Sequence, residues 1–175
     1  MILGMSLPAF TLFHVALSLI AIAAGFVVLF SMFGAKVPRG WTALFLIMTA
    51  LTSVTGYFFP AKEVLPSHIV GVITLVVVVL ASLALYRYRL MRSWRWIYVV
   101  SAISALYLNV FVGVVQSFLK VPFLKDLAPT QAEPPFAIAQ AVVLLTFVAA
   151  AIVALRLFQP EAGAATLRPL TPQRG

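Results

Sequence analysis

Five apolar stretches constrain this chain more than any other feature, because each is long enough to cross a bilayer. About 20 mostly apolar residues in a helix span about 30 Å of hydrocarbon. The stretches cover about 10–33, 41–59, 67–86, 96–118 and 135–158, and none contains an Asp or Glu. They are continuous runs rather than alternating ones, which excludes a closed β-barrel and leaves a bundle of helices. Composition agrees with this. Of 175 residues, 63% are hydrophobic and 9% are charged, whereas soluble domains carry about 25% charged residues. The sequence therefore predicts an all-α membrane protein, a five-helix transmembrane bundle forming a single domain over 1–158.

Each break between stretches has a chemical cause. Gly34, Pro38 and Gly40 separate the first two, and the segment from Pro60 to Pro66 separates the second from the third. Arg87, Arg89, Arg92 and Arg95 divide the third from the fourth. Between the fourth and fifth lies Lys120–Pro134, whose Pro122, Pro129 and Pro134 disfavour continuation of a helix. The tail over 159–175, rich in Pro, Ala and Thr, cannot bury a core and is expected to be disordered.

Basic residues set the expected orientation. The side opposite the N-terminus collects Lys36, Arg39, Arg87, Arg89, Arg92, Arg95, Arg156, Arg168 and Arg174, nine against the three lysines Lys62, Lys120 and Lys125 on the N-terminal side. The positive-inside rule then places the N-terminus outside and the tail in the cytoplasm, in a multi-pass protein of a bacterial inner (plasma) membrane. No Lys or Arg precedes the first stretch, so it is read as a retained span rather than a signal peptide. The net charge of +8 reports this orientation and contact with anionic lipid through Arg87–Arg95, not nucleic acid. Expected partners are the lipid bilayer and other membrane proteins. Cysteine is absent, which removes disulfides, thiolate metal sites and cysteine nucleophiles.

A faint internal repeat adds a symmetry expectation. His14 precedes Trp41 by 27 residues and His68 precedes Trp96 by 28, each across a basic loop. Thr49-Ala50-Leu51-Thr52 resembles Ser101-Ala102-Ile103-Ser104 at matching positions. A parallel repeat of spans one–two and three–four, with the fifth helix outside it, would explain both.

Polar residues concentrate toward the N-terminal side. His14 and His68 open the first and third spans, on faces that carry Ser18, Ala21 and Gly25 in one case and Gly71, Leu75, Val79 and Ser82 in the other. Small residues mark helix–helix seams in lipid, so both imidazoles are expected to point inward. Asn109, Gly113, Gln116 and Lys120 form one stripe on the fourth span. With Gln131, Glu133 and Gln140 they make an outer polar cluster. Polar groups in a bilayer are costly and often functional. The plainer readings are interhelical glue for the amides, snorkelling for Lys120, and packing for the histidines.

Three functions follow. The least demanding is a small membrane subunit, scaffold or assembly factor of a larger complex, with its polar site at the outer face. A sharper alternative is a single-haem b-type cytochrome or quinol-reactive electron carrier. There His14 and His68 would be axial ligands to haem iron, with Gln116 and Gln140 behind them. A small-molecule carrier is the third. No carboxylate relay, zincin spacing, phosphate loop or nucleophile elbow is present, so no enzyme class is favoured. The histidine pair offers the sole candidate metal site, through haem iron.

Overall fold

The computed structural model describes residues 2–60 and 66–160. The expected disordered tail lies almost wholly outside these residues. Regular structure among the described residues is all helical: α1 (Leu7–Phe33), α2 (Arg39–Gly56), α3 (Pro66–Ser82), α4 (Trp94–Lys120), α5 (Pro122–Leu127) and α6 (Pro134–Leu157). A π-helical turn, Leu83–Arg87, prolongs α3. Local chemistry sets the ends. Ser6 caps α1 by accepting from the Ala9 amide, and Pro122 and Pro134-Pro135 occupy first-turn positions of α5 and α6, where a missing N–H costs nothing.

Four helices are long and apolar enough to cross a membrane: α1, α3 with its π turn, α4 and α6. They are compatible with a multi-pass membrane bundle. The sequence reading counted five, and α2 accounts for the difference. It has 18 residues, ends at Gly56 rather than near 59, and carries Arg39, Gly40, Thr42, Thr49, Thr52, Ser53 and Thr55. Those residues dilute its apolar content, and three of them, Thr42, Thr49 and Thr55, are buried on its contact face. The Pro-rich segment between the last two spans also contains a short helix, α5.

The long helices form a closed ring. α1 packs on α2, α2 on α3, α3 on α4 and α4 on α1, while α6 lies outside the ring against α4 and α1. One diagonal pair is therefore α2 with α4, and the other is α1 with α3. The core comprises Ala24, Val28 and Met32 of α1, Phe45 and Leu46 of α2, Val78 and Ala81 of α3, and Tyr98, Ala102 and Leu106 of α4. Gly25 sits at the tightest crossing. A Cβ there would stand 2.6 Å from Leu106 Cδ1 and 2.9 Å from Phe45 Cε2. Close approach of this kind is how helices gain dispersion energy where lipid removes the hydrophobic driving force.

The buried seam of α3 differs from the expected one. Thr74, Val78 and Ala81 are buried, whereas Val79 is exposed. In a run of consecutive valines, small-residue spacing alone cannot fix the rotation of the helix, and packing on α2 and α4 sets it instead.

The turn between α3 and α4 is well defined. Arg89, Leu90 and Arg92 all adopt positive φ, and the Tyr88 and Trp94 rings stack with centroids 3.7 Å apart. Left-handed backbone costs a non-glycine residue about 1–2 kcal/mol, so the stacked rings and the Leu90 N–H to Ala84 carbonyl bond of 2.9 Å hold a conformation the chain would not choose alone.

Candidate functional site

The most connected polar position is His14, one side chain deep in the α1–α2 interface. Its Nδ1 lies 2.8 Å from Thr55 Oγ1. The Thr55 hydroxyl hydrogen is directed to the Leu51 carbonyl at 2.8 Å, as is common for threonine within a helix. The His14 ring, the Thr55 hydroxyl and the carbonyls of Leu51 and Thr52, the latter 3.1 Å from Thr55 Oγ1, thus form one hydrogen-bonded cluster across the α1–α2 interface. Phe59 meets the ring edge-on at 5.2 Å, and Phe10 packs on Phe59 at 5.1 Å. His14 is thus walled by aromatics and gripped by the last turn of α2.

His68 is engaged by a different residue of the same helix end. Tyr57 stacks on its ring at 5.3 Å with an 18° interplanar angle, and Tyr57 Oη donates to the His68 carbonyl at 2.6 Å. Gly71 makes room, since a Cβ there would lie 2.9 Å from Tyr57 Oη. The two histidines stand on the α1–α3 diagonal, and each addresses its own partner on the C-terminal end of α2.

The second tie joins the other diagonal. Asn109 Nδ2 donates to Thr49 Oγ1 at 3.0 Å, both residues being buried near the middle of their helices. Nearer the arginine end, buried Thr42 donates to the Pro38 carbonyl of its own helix start at 3.1 Å. Thr49 and Thr55 therefore form a two-rung ladder along α2, one rung to α4 and one to α1. Sequence reasoning missed this ladder. The near-heptad spacing of the threonines was available, but hydroxyls in apolar helices more often bond their own backbone.

The amides at the histidine end act as clamps on α4. Gln140 Nε2 donates to the Phe111 carbonyl at 3.2 Å, and Gln131 Nε2 donates to the Val115 carbonyl at 2.9 Å. Those carbonyls are one turn apart, so a single stripe of α4 receives both α6 and the loop before it. Gln131 has φ of 60° at this point. Glu133 closes the loop on itself, accepting from Thr130 Oγ1 at 2.8 Å and from the backbone amides of Thr130 and Ala132. Those bonds outweigh desolvation, which acts upward, and hold its carboxyl below the ordinary value. Gln116 and Lys120 are exposed, so the predicted stripe on α4 turns from core to surface beyond Asn109.

At the other end, Arg95 Nη1 donates to the Phe158 carbonyl at 3.0 Å and caps α6, which ends there. A cation at a helix C-terminus also complements the dipole. Arg87, Arg89 and Arg92 are exposed. Two buried polar atoms, Thr52 Oγ1 and Gln140 Oε1, have no hydrogen-bond partner among the described residues.

Neither histidine lines the groove between α2 and α3 or the packed seam around Gly25. Among the described residues no group of three or more His, Asp or Glu is placed to hold a metal. No family model, curated protein or solved structure matches the chain.

Proposed function

We propose that the protein is a non-catalytic membrane subunit, scaffold or assembly factor, and that its docking element is the segment from Val121 to Glu133. In this reading α2 crosses the membrane as a fifth span despite its hydroxyls, because Thr49 and Thr55 are partnered inside the ring. The histidine end faces outward, and the arginine end faces the cytoplasm of a bacterial inner membrane.

One observation carries the reading. The polar side chains that could have formed a reactive site are engaged in holding helices together: His14 with Thr55, Asn109 with Thr49, and Gln131 and Gln140 with carbonyls of α4. What the histidine end offers outward is shape. The short helix α5 is held between α4 and the clamped Gln131 loop, and it presents Phe123 at 70% exposure beside Val121 and Leu127. A rigid aromatic on a pre-ordered element binds with little further loss of entropy. The haem alternative requires both imidazoles at one iron, and here each is matched to a separate residue of α2.

The test is site-specific photo-crosslinking in the native membrane. A photoreactive residue at Phe123 should give one discrete heavier adduct, while the same residue at Leu145 on the exposed face of α6 should give only lipid adducts. Equal, diffuse labelling from both positions would overturn the docking assignment. A Soret band in the purified protein would overturn the non-catalytic one.

A further inference from the structure

The arginine end carries a feature that the docking proposal does not use. A groove of about 350 Å³ runs between α2 and α3, lined by Ala43, Leu46, Ile47, Ala50, Val78, Ser82 and Tyr86. It is apolar almost throughout and opens outward, with Ile47 and Tyr86 about half exposed. The helices are antiparallel, so the groove starts at Ala50 and Val78 near mid-bundle and ends at Ala43 and Tyr86. Small residues on α2, Ala43 and Ala50, create the space.

The end of the groove is strongly cationic. Arg39 stands one turn beyond Ala43 on α2, and Arg87 follows Tyr86 directly; both are exposed, as is nearby Lys36. Across this end of the bundle lie Lys36, Arg39, Arg87, Arg89, Arg92, Arg95 and Arg156. The carboxylates among the described residues, Asp126 and Glu133, are both at the opposite end. Among the described residues no carboxylate therefore neutralises Arg39 and Arg87. The Arg87 guanidinium is held 5.7 Å from the Tyr88 ring centroid, beside the stacked Tyr88–Trp94 pair. That contact restrains its freedom before any ligand arrives.

The geometry points to a binding site for one anionic glycerophospholipid: an acyl chain in the α2–α3 groove, with its phosphate between Arg39 and Arg87. Arginine suits this role because its planar fork pairs bidentately with phosphate oxygens. Charge and shape coincide here. A lipid offers an apolar chain for the groove and an anion for its cationic mouth, whereas a second copy of this chain would bring a further basic end to a basic end. The assignment rests on the membrane reading above, but not on the docking role of α5.

The test is native mass spectrometry of the full chain released from detergent micelles, titrated with phosphatidylglycerol and with phosphatidylcholine. Phosphatidylglycerol should be retained preferentially, with one lipid surviving activation that strips the others. The Arg39→Gln/Arg87→Gln pair should weaken that binding about tenfold or more, since each basic contact to an anionic headgroup is worth about fivefold. Ala50→Phe, which fills the groove without changing charge, should also weaken it. Arg89→Gln/Arg92→Gln removes equal charge away from the groove and should weaken it much less. Equal losses from the two arginine pairs would overturn the site in favour of diffuse charge. A dimer abolished by Ala50→Phe, with no lipid preference, would overturn it in favour of a second copy. Because Arg39 and Arg87 are exposed, that pair reports even if Ala50→Phe fails to fold. Loss of lipid preference in a protein that still requires detergent removes this site alone; a protein soluble without detergent would remove the membrane reading beneath it.

Discussion

His14 Nδ1 lies 2.8 Å from Thr55 Oγ1, and the same hydroxyl reaches the Leu51 carbonyl at 2.8 Å. This chain of two bonds couples α1 to the last turn of α2. Three residues earlier on the same helix, Thr52 has a buried hydroxyl with no partner among the described residues. One substitution made at the two sites should therefore have opposite effects. Thr55→Val should destabilise the bundle by about 0.6–1.7 kcal/mol, the range of interhelical hydrogen bonds in membranes. Thr52→Val removes an orphan polar group at constant shape and should be neutral or stabilising. Thermal denaturation in detergent compares them, and equal losses would contradict the tie between His14 and Thr55.

Asn109 and Thr49 offer a double-mutant cycle on the other diagonal. Asn109→Leu and Thr49→Val should each destabilise the fold, and the double variant should lose less than the sum, with a coupling of about 0.6 kcal/mol or more. Additive losses would show that the 3.0 Å contact is not formed in the folded bundle.

Gly25 tests the packing seam. Any side chain there meets Leu106 and Phe45 within 3 Å. Gly25→Leu should cost at least the 1–3 kcal/mol typical of overpacking, while Gly40→Ala, which meets nothing within 4 Å, should be tolerated. A stable Gly25→Leu variant would mean the α1–α2–α4 crossing is looser than described.

Much of this architecture was legible in the sequence, and the exceptions share a cause. Hydropathy located α1, α3, α4 and α6 to within a few residues, because length and apolarity suffice to define such helices. It treated α2 as their equal, although Arg39 and the hydroxyl residues of that helix leave it less apolar than the other four. The α3 seam was misplaced by one residue because valine runs carry no rotational signal. Arg95 was read only as part of a charge run, but pairing with the Phe158 carbonyl depends on where α6 ends in space, 63 residues away. The ring order explains why α1 and α3 lie on one diagonal, which no pairwise sequence comparison specifies.

Glu133 gives a pH dependence with a definite sign. Its carboxyl lies below the ordinary value of 4.5. Its contribution to loop order is therefore fully present above 4.5 and is lost as pH falls through the lowered value. Carbon-detected NMR of the carboxyl should show that downward displacement. Glu133→Gln should abolish the acid dependence of proteolysis at Thr130–Ala132. An unchanged acid dependence would assign it to another group.

The central claim is that this bundle works by presenting α5 rather than by chemistry in its interior. The most direct measurement is migration on a native gel after mild solubilisation of membranes, comparing wild type with Phe123→Ser/Leu127→Ser. The account predicts that the wild-type chain migrates in an assembly well above its own 19.0 kDa, and that the double variant falls out of it with unchanged thermal stability. A wild-type chain that migrates alone, or an assembly indifferent to both substitutions, would contradict it.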